Sequence, residues 1–222
     1  VPAFWRGKQI YIHIGSATSN LALWVNGKRV GYSEDSKLDV EFNITKYIKA
    51  GEKNLFAMEC HRWCDGTYLE DQDFWRLSGI ARDCYIYARE KAHIKDVKFT
   101  ADLTNDYKDG VLTLNVDVTQ GVKWVEAVLC DDKDNPLYKQ RITPSSGKAK
   151  AVVELNDVKA WSAETPYLYR LTVATDKEAA AFNVGFRKVE IKNAQLLVNG
   201  RAILIKGANR HEMIPERGYD IK

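Results

Sequence analysis

Apolar and polar residues alternate along most of this chain. From 112 to 118, Leu112, Leu114, Val116 and Val118 are separated by Thr113, Asn115 and Asp117, a period of two that turns one face into a core and the other into water. The same alternation predicts strands at 9–14, 21–25, 55–62, 83–89, 93–100, 124–130, 150–155, 167–175 and 181–191. Asn26-Gly27 sits between Leu21-Ala22-Leu23-Trp24-Val25 and Lys28-Arg29-Val30, and both residues tolerate the positive φ of a type I′ hairpin turn. Asn199-Gly200 repeats the device between Leu196-Leu197-Val198 and Arg201-Ala202-Ile203-Leu204-Ile205. The one helical pattern is Ile44, Tyr47 and Ile48, spaced i, i+3, i+4 and closed by Gly51, enough for a turn or two.

Short strands with turn signals roughly every ten residues describe β-sandwiches, not a parallel sheet with helical crossovers. The charged stretch Arg89-Glu90-Lys91 marks a boundary, and a set of about seven strand signals follows it. Residues 93–186 have the size of an immunoglobulin-like sandwich, whereas residues 1–91 hold fewer strands and more aromatics, as an incomplete sandwich would.

At 222 residues, 45% hydrophobic and 28% charged, the chain can bury a core and does not have a disordered composition. It carries 33 basic and 30 acidic side chains, a net charge of +3, without blocks of either sign. Basic residues do not cluster with aromatics, so no nucleic-acid partner is expected. No apolar run approaches the ~20 residues that span a bilayer, so no membrane partner is expected either. Val1 opens the chain in the middle of a structured pattern, as a processed or cut segment would. Cys60, Cys64, Cys84 and Cys130 lack redox or zinc-ribbon spacing and are expected as free thiols.

Two stretches carry candidate chemistry. Between Trp63 and Trp75 lie Asp65, Glu70, Asp71, Asp73 and Gln72 among Tyr68 and Phe74. Hard cations want several oxygen ligands and sugars want carboxylates beside aromatic faces, so this composition suits either. It equally suits a solvated turn whose tryptophans fill the core. Gly207-Ala208-Asn209-Arg210-His211-Glu212 follows the apolar strand Ile203-Leu204-Ile205, as pocket residues follow a barrel strand. No G-x-S-x-G, H-E-x-x-H, P-loop or G-x-G-x-x-G occurs. His13 and His61 fall inside strand patterns and are expected to be structural.

These residues carry a resemblance. Leu23-Trp24-Val25-Asn26-Gly27 with Val30-Gly31-Tyr32-Ser33-Glu34-Asp35-Ser36, the run from Arg62 through Asp73 to Ile80, Trp161-Ser162-Ala163-Glu164-Thr165-Pro166, Val184-Gly185-Phe186-Arg187 and Lys206-Gly207-Ala208-Asn209-Arg210-His211-Glu212 resemble an internal segment of glycoside hydrolase family 2, in its β-galactosidase branch. The resemblance implies an all-β chain: the C-terminal part of a jelly-roll sugar-binding domain (1–91), an immunoglobulin-like sandwich (92–187) and the start of a catalytic (β/α)₈ barrel with its first strand (188–222). It implies that Asp73 touches a galactosyl hydroxyl and a sodium ion. His211 would contact the sugar near the transition state, and Asp65 with Glu34 would belong to a peripheral divalent-cation site, sodium and magnesium being the ions implied for the parent enzyme. Glu34 stands where an amide is usual in the family. The partners implied are a β-galactoside and the rest of a parent chain, itself a homo-oligomer. The acid/base and nucleophile carboxylates of a retaining glycosidase would come from later barrel strands, leaving this chain inactive alone. A free-standing carbohydrate-binding or structural sandwich module is the second reading, and the barrel-like segment from Ile203 to His211 speaks against it.

Overall fold

The computed structural model describes residues 1–34, 38–70, 77–209 and 214–216. The chain divides into two compact units, one comprising Val1–Glu90 with Ala208–Lys222 and the other Lys91–Gly207.

The first unit contains β1 (Gln9–Ile14), β2 (Leu21–Val25), β3 (Lys28–Ser33), β4 (Val40–Asn43), β5 (Phe56–Glu59), a four-residue helix α1 (Thr67–Glu70) and β6 (Cys84–Arg89). They form two antiparallel three-stranded sheets, ordered β4-β1-β6 and β3-β2-β5. Alternation does its expected work in β1: Ile10, Ile12 and Ile14 face inward while Gln9, Tyr11 and His13 face out. The inward isoleucines belong to one core with Leu21, Leu23, Val25 and Ile44, none of them more than 3% exposed. Each such side chain contributes about 1.5–3 kcal/mol by leaving water. Asn26 and Gly27 take φ of 50° and 76°, which closes the β2–β3 hairpin as its sequence predicts. The helical pattern at 44–50 yields only a 3₁₀ turn, Thr45–Tyr47, because Ile44 is drawn fully into the core and Gly51 turns the chain at φ 89°.

The second unit holds β7 (Ile94–Thr104), β8 (Asp109–Val118), β9 (Val125–Cys130), β10 (Pro136–Ile142), β11 (Lys148–Leu155), β12 (Tyr169–Ala174) and β13 (Ala179–Val184). Its sheets run β11-β8-β7 and β10-β9-β12-β13. Leu112, Leu114 and Val116 sit opposite Val153, Ala151 and Ala149 on one sheet, and Leu129 and Ala127 opposite Leu171 and Val173 on the other. All ten belong to one buried core. Phe186 is fully buried at its end, with the Tyr169 ring edge-on at 5.2 Å. A Cβ on Gly110 would lie 2.7 Å from that phenylalanine ring, so only glycine fits there. The single strand expected at 181–191 is two strands, because Phe186 dives into the core between β13 and β14 (Val189–Lys192). Strands β4 and β10 escaped the alternation pattern. Strand β10 pairs only with β9 and starts on Pro136, as an edge strand can, and so shows little of the contrast that burial imposes.

Strand β14 continues into β15 (Gln195–Val198) and β16 (Arg201–Ala202), with Asn199 and Gly200 at φ 50° and 74° in the second predicted turn. The Asn199 side chain accepts from the Lys188 amide at 3.0 Å and donates to the Trp161 carbonyl at 3.0 Å. The apolar run Ile203, Leu204 and Ile205, expected as a barrel strand, makes no ladder here and is 44%, 81% and 74% exposed. A barrel strand takes its hydrogen bonds from parallel neighbours. Every strand pairing among the described residues is antiparallel.

Candidate functional site

The acidic stretch after β5 is held by polar contacts to one corner of the first unit, Thr18-Ser19-Asn20, just before β2. The Ser19 amide donates to the His61 carbonyl at 2.9 Å, and the His61 amide returns a bond to Asn20 Oδ1 at 3.0 Å. Ser19 Oγ donates to the Arg62 carbonyl at 2.6 Å, and Thr67 Oγ1 donates to Ser19 Oγ at 3.0 Å while accepting from the Cys64 amide at 3.1 Å. Ser19 and Thr67 are 3% and 6% exposed, so these hydroxyls form a buried clip. Downstream, Thr18 and Gly79 exchange a pair of backbone bonds at 3.0 Å, and Ser78 Oγ donates to the Thr18 carbonyl at 3.1 Å. Both ends of the stretch are therefore tied to the same three residues.

The clip places Cys64 and Asp65 beside Glu34, which follows β3. One oxygen each of Glu34 and Asp65 and the Cys64 sulfur lie within 4.8 Å of one another. Tyr32 donates its hydroxyl to Glu34 Oε1. That bond, with burial and the neighbouring carboxylate charge, pushes the tyrosine up from 10 to about 12. The Cys64 sulfur also lies 3.7 Å from the Ser19 carbonyl and 3.5 Å from Thr67 Oγ1.

Glu34 and Asp65, expected together, are brought together. Asp73 and His211 lie outside the described residues, as do Asp71 and Trp75. Trp63 does not fill the core as the solvated-turn reading would have it: it is 47% exposed, with the Arg62 guanidinium 5.1 Å from its ring. His13 stacks on Tyr85 at 4.6 Å and His61 pairs with Glu59 at 2.8 Å, both structural contacts. All four cysteines are free thiols. Sequence reasoning did not find Cys64 as a donor, nor the Ser19–Thr67 clip, because it looked for cysteine pairs and for carboxylates, and both features depend on residues distant in the chain.

Three family profiles run in succession along the chain: "Glycosyl hydrolases family 2, sugar binding domain" over 1–90, "Glycosyl hydrolases family 2" over 92–187 and "Glycosyl hydrolases family 2, TIM barrel domain" over 189–222. The chain belongs to glycosyl hydrolase family 2. Among the family's members, a β-galactosidase of Alteromonas mediterranea is 39% identical over 228 residues, covering 95% of this chain and 22% of that protein. A β-galactosidase of Vibrio vulnificus is 43% identical over 215 residues, covering 89% and 21%. The chain thus spans about a fifth of the length of these family 2 relatives. Solved β-glucuronidases of Ruminococcus gnavus and of an uncultured Clostridium superpose over all of this chain with TM-scores of 0.86 and 0.84, covering 39% of each. Their identities of 23% and 24% speak for the fold alone.

The magnesium that family 2 resemblance implies for the parent can be tested against the donors at Glu34 and Asp65. Magnesium demands a near-ideal octahedron of oxygens at about 2.0–2.1 Å. A sulfur stands among the donors here, and thiol ligands select softer ions. Among the described residues the two carboxylates could serve magnesium with waters, and the thiol shifts the set towards softer ions.

Proposed function

We propose that the chain is part of a retaining β-galactosidase that removes terminal β-D-galactosyl residues. It would contribute the jelly-roll and immunoglobulin-like scaffold and one wall of the sugar pocket. The observation that carries this reading is the identity of 37–43% to proteins named β-galactosidase over 89–96% of the chain, through both units. In the parent enzyme Asp73 holds a galactosyl hydroxyl and a sodium ion, and His211 contacts the sugar where charge develops. The acid/base and the nucleophile, about 5–5.5 Å apart in a retaining enzyme, come from residues beyond these 222. The parent works as a homo-oligomer.

The test compares the full-length parent with the 222-residue chain on aryl β-galactosides and aryl β-glucuronides. The parent should turn over the galactoside, and the chain alone should turn over neither, having nothing to protonate the leaving group or trap the glycosyl cation. A parent that prefers the glucuronide, or turnover by the chain that survives purification, overturns the reading.

A further inference from the structure

The sulfur among the donors points to what the cluster would take in preference to magnesium. Three donors of two kinds converge from separate segments: a carboxylate after β3, and a thiol and a second carboxylate entering α1, all within 4.8 Å. In a tetrahedral zinc site the sulfur sits about 2.3 Å and oxygens about 2.0–2.2 Å from the metal, which separates donors by about 3.5 Å. The closure needed is about 1 Å. Asp65 is exposed, so its carboxylate can swing, whereas Cys64 is held from behind by the hydrogen bond its amide donates to Thr67 Oγ1. Tyr32 occupies one oxygen of Glu34 and orients the carboxylate, in the manner of the outer hydrogen bonds that set metal ligands. A water would complete four ligands.

We propose that Cys64 makes the Glu34–Asp65 pair a site for zinc-class divalent cations, taken in preference to magnesium. The inference does not rest on the galactosidase reading, and its test needs no activity. Cobalt(II) reports thiolate ligation through a sulfur-to-metal charge-transfer band. Titrated into the purified chain, cobalt should raise that band; zinc at equal concentration should abolish it, and about a thousandfold excess of magnesium should leave it. The band should vanish in Cys64→Ser and persist in Cys60→Ser, Cys84→Ser and Cys130→Ser, and Asp65→Asn should weaken cobalt binding by about tenfold or more, the scale of losing one ligand contact of about 1.4 kcal/mol. A measurement without variants runs beside it: zinc should slow alkylation of Cys64, located by peptide mass spectrometry, and magnesium should not. No band in the wild type, a band that survives Cys64→Ser, or alkylation of Cys64 indifferent to zinc overturns the proposal. Failure of the full-length parent on galactosides would leave each of these results untouched.

Discussion

Replacing Thr67 by Val keeps the shape of the side chain and removes its hydroxyl, which isolates the buried clip. In the wild type that hydroxyl donates to Ser19 Oγ at 3.0 Å and accepts from the Cys64 amide at 3.1 Å. Both bonds lie in a region where Thr67 is 6% and Ser19 3% exposed, so water does not replace them without opening the loop. A net hydrogen bond is worth about 0.5–1.5 kcal/mol, and a buried donor left unmade costs about 1–3 kcal/mol. Ser19 Oγ still donates to the Arg62 carbonyl, so the orphan is the Cys64 amide, and the expected loss is about 1–2 kcal/mol. At about 1.4 kcal/mol per decade, exchange of the Cys64, Thr67, Tyr68 and Leu69 amides should speed by about 5- to 30-fold. Hydrogen exchange with fragment resolution measures this directly. Amides of β8 in the other unit should not change, and Thr67→Ser, which keeps the hydroxyl, should stay near wild type. Acceleration below about twofold in Thr67→Val, or equal acceleration in Thr67→Ser, would refute the claim that these two bonds hold the loop.

Phe186→Ala should destabilise the second unit by about 3–5 kcal/mol, because the ring is fully buried and edge-on to Tyr169; a urea unfolding loss under about 1 kcal/mol would contradict its place in the core. Burial first, and then the bond its hydroxyl donates to Glu41, push Tyr87 up from 10 to about 12. Its protonated form is therefore favoured in the fold, a contribution fully present below pH 10 and lost as pH climbs towards 12. The unfolding midpoints of wild type and Tyr87→Phe should thus differ more at pH 9 than at pH 11, and a constant gap would contradict the assignment. In the full-length parent, Asp73→Asn should raise KM, lower kcat and blunt the response to sodium, whereas His211→Ala should lower kcat/KM by roughly 10² or more; a sodium titration of both variants separates the two roles.

How much of this was legible depended on where each element gets its information. The hairpins at Asn26-Gly27 and Asn199-Gly200 are written locally, since their positive φ values need particular residues and nothing distant. Strands with one buried face, such as β1 and β8, declare themselves because burial enforces a period of two. Strand β10 exposes most of its length, so burial imposed little on it and its sequence carries no comparable signal. Phe186 looked like part of a continuous strand because an apolar residue fits a strand or a plunge into the core equally well. The site divided in the same way. Asp65 and Glu34 were expected to lie together from motif likeness, and they do, but Cys64 joined them only when β3 and the entry to α1 were placed side by side. The Ser19–Thr67 bond joins residues 48 positions apart and has no sequence signature at all.

The clip and the proposed cation site share Cys64, so binding at the site should reinforce the clip. Thr67 fixes the Cys64 amide, and the proposed cation would fix the Cys64 sulfur together with Glu34 and Asp65, so each favours the same closed arrangement of the loop. A ligand that binds only the closed form stabilises it by about 2.7 kcal/mol at a hundred times its Kd. This exceeds the about 1–2 kcal/mol assigned to the two hydroxyl bonds. Zinc at that concentration should therefore return the exchange of the Cys64 to Leu69 amides in Thr67→Val to the rate of the metal-free wild type or below it. Magnesium at the same concentration should leave the variant fast. Zinc that fails to slow these amides while still binding the chain would mean that the cation sits elsewhere, and would separate the loop from the cluster.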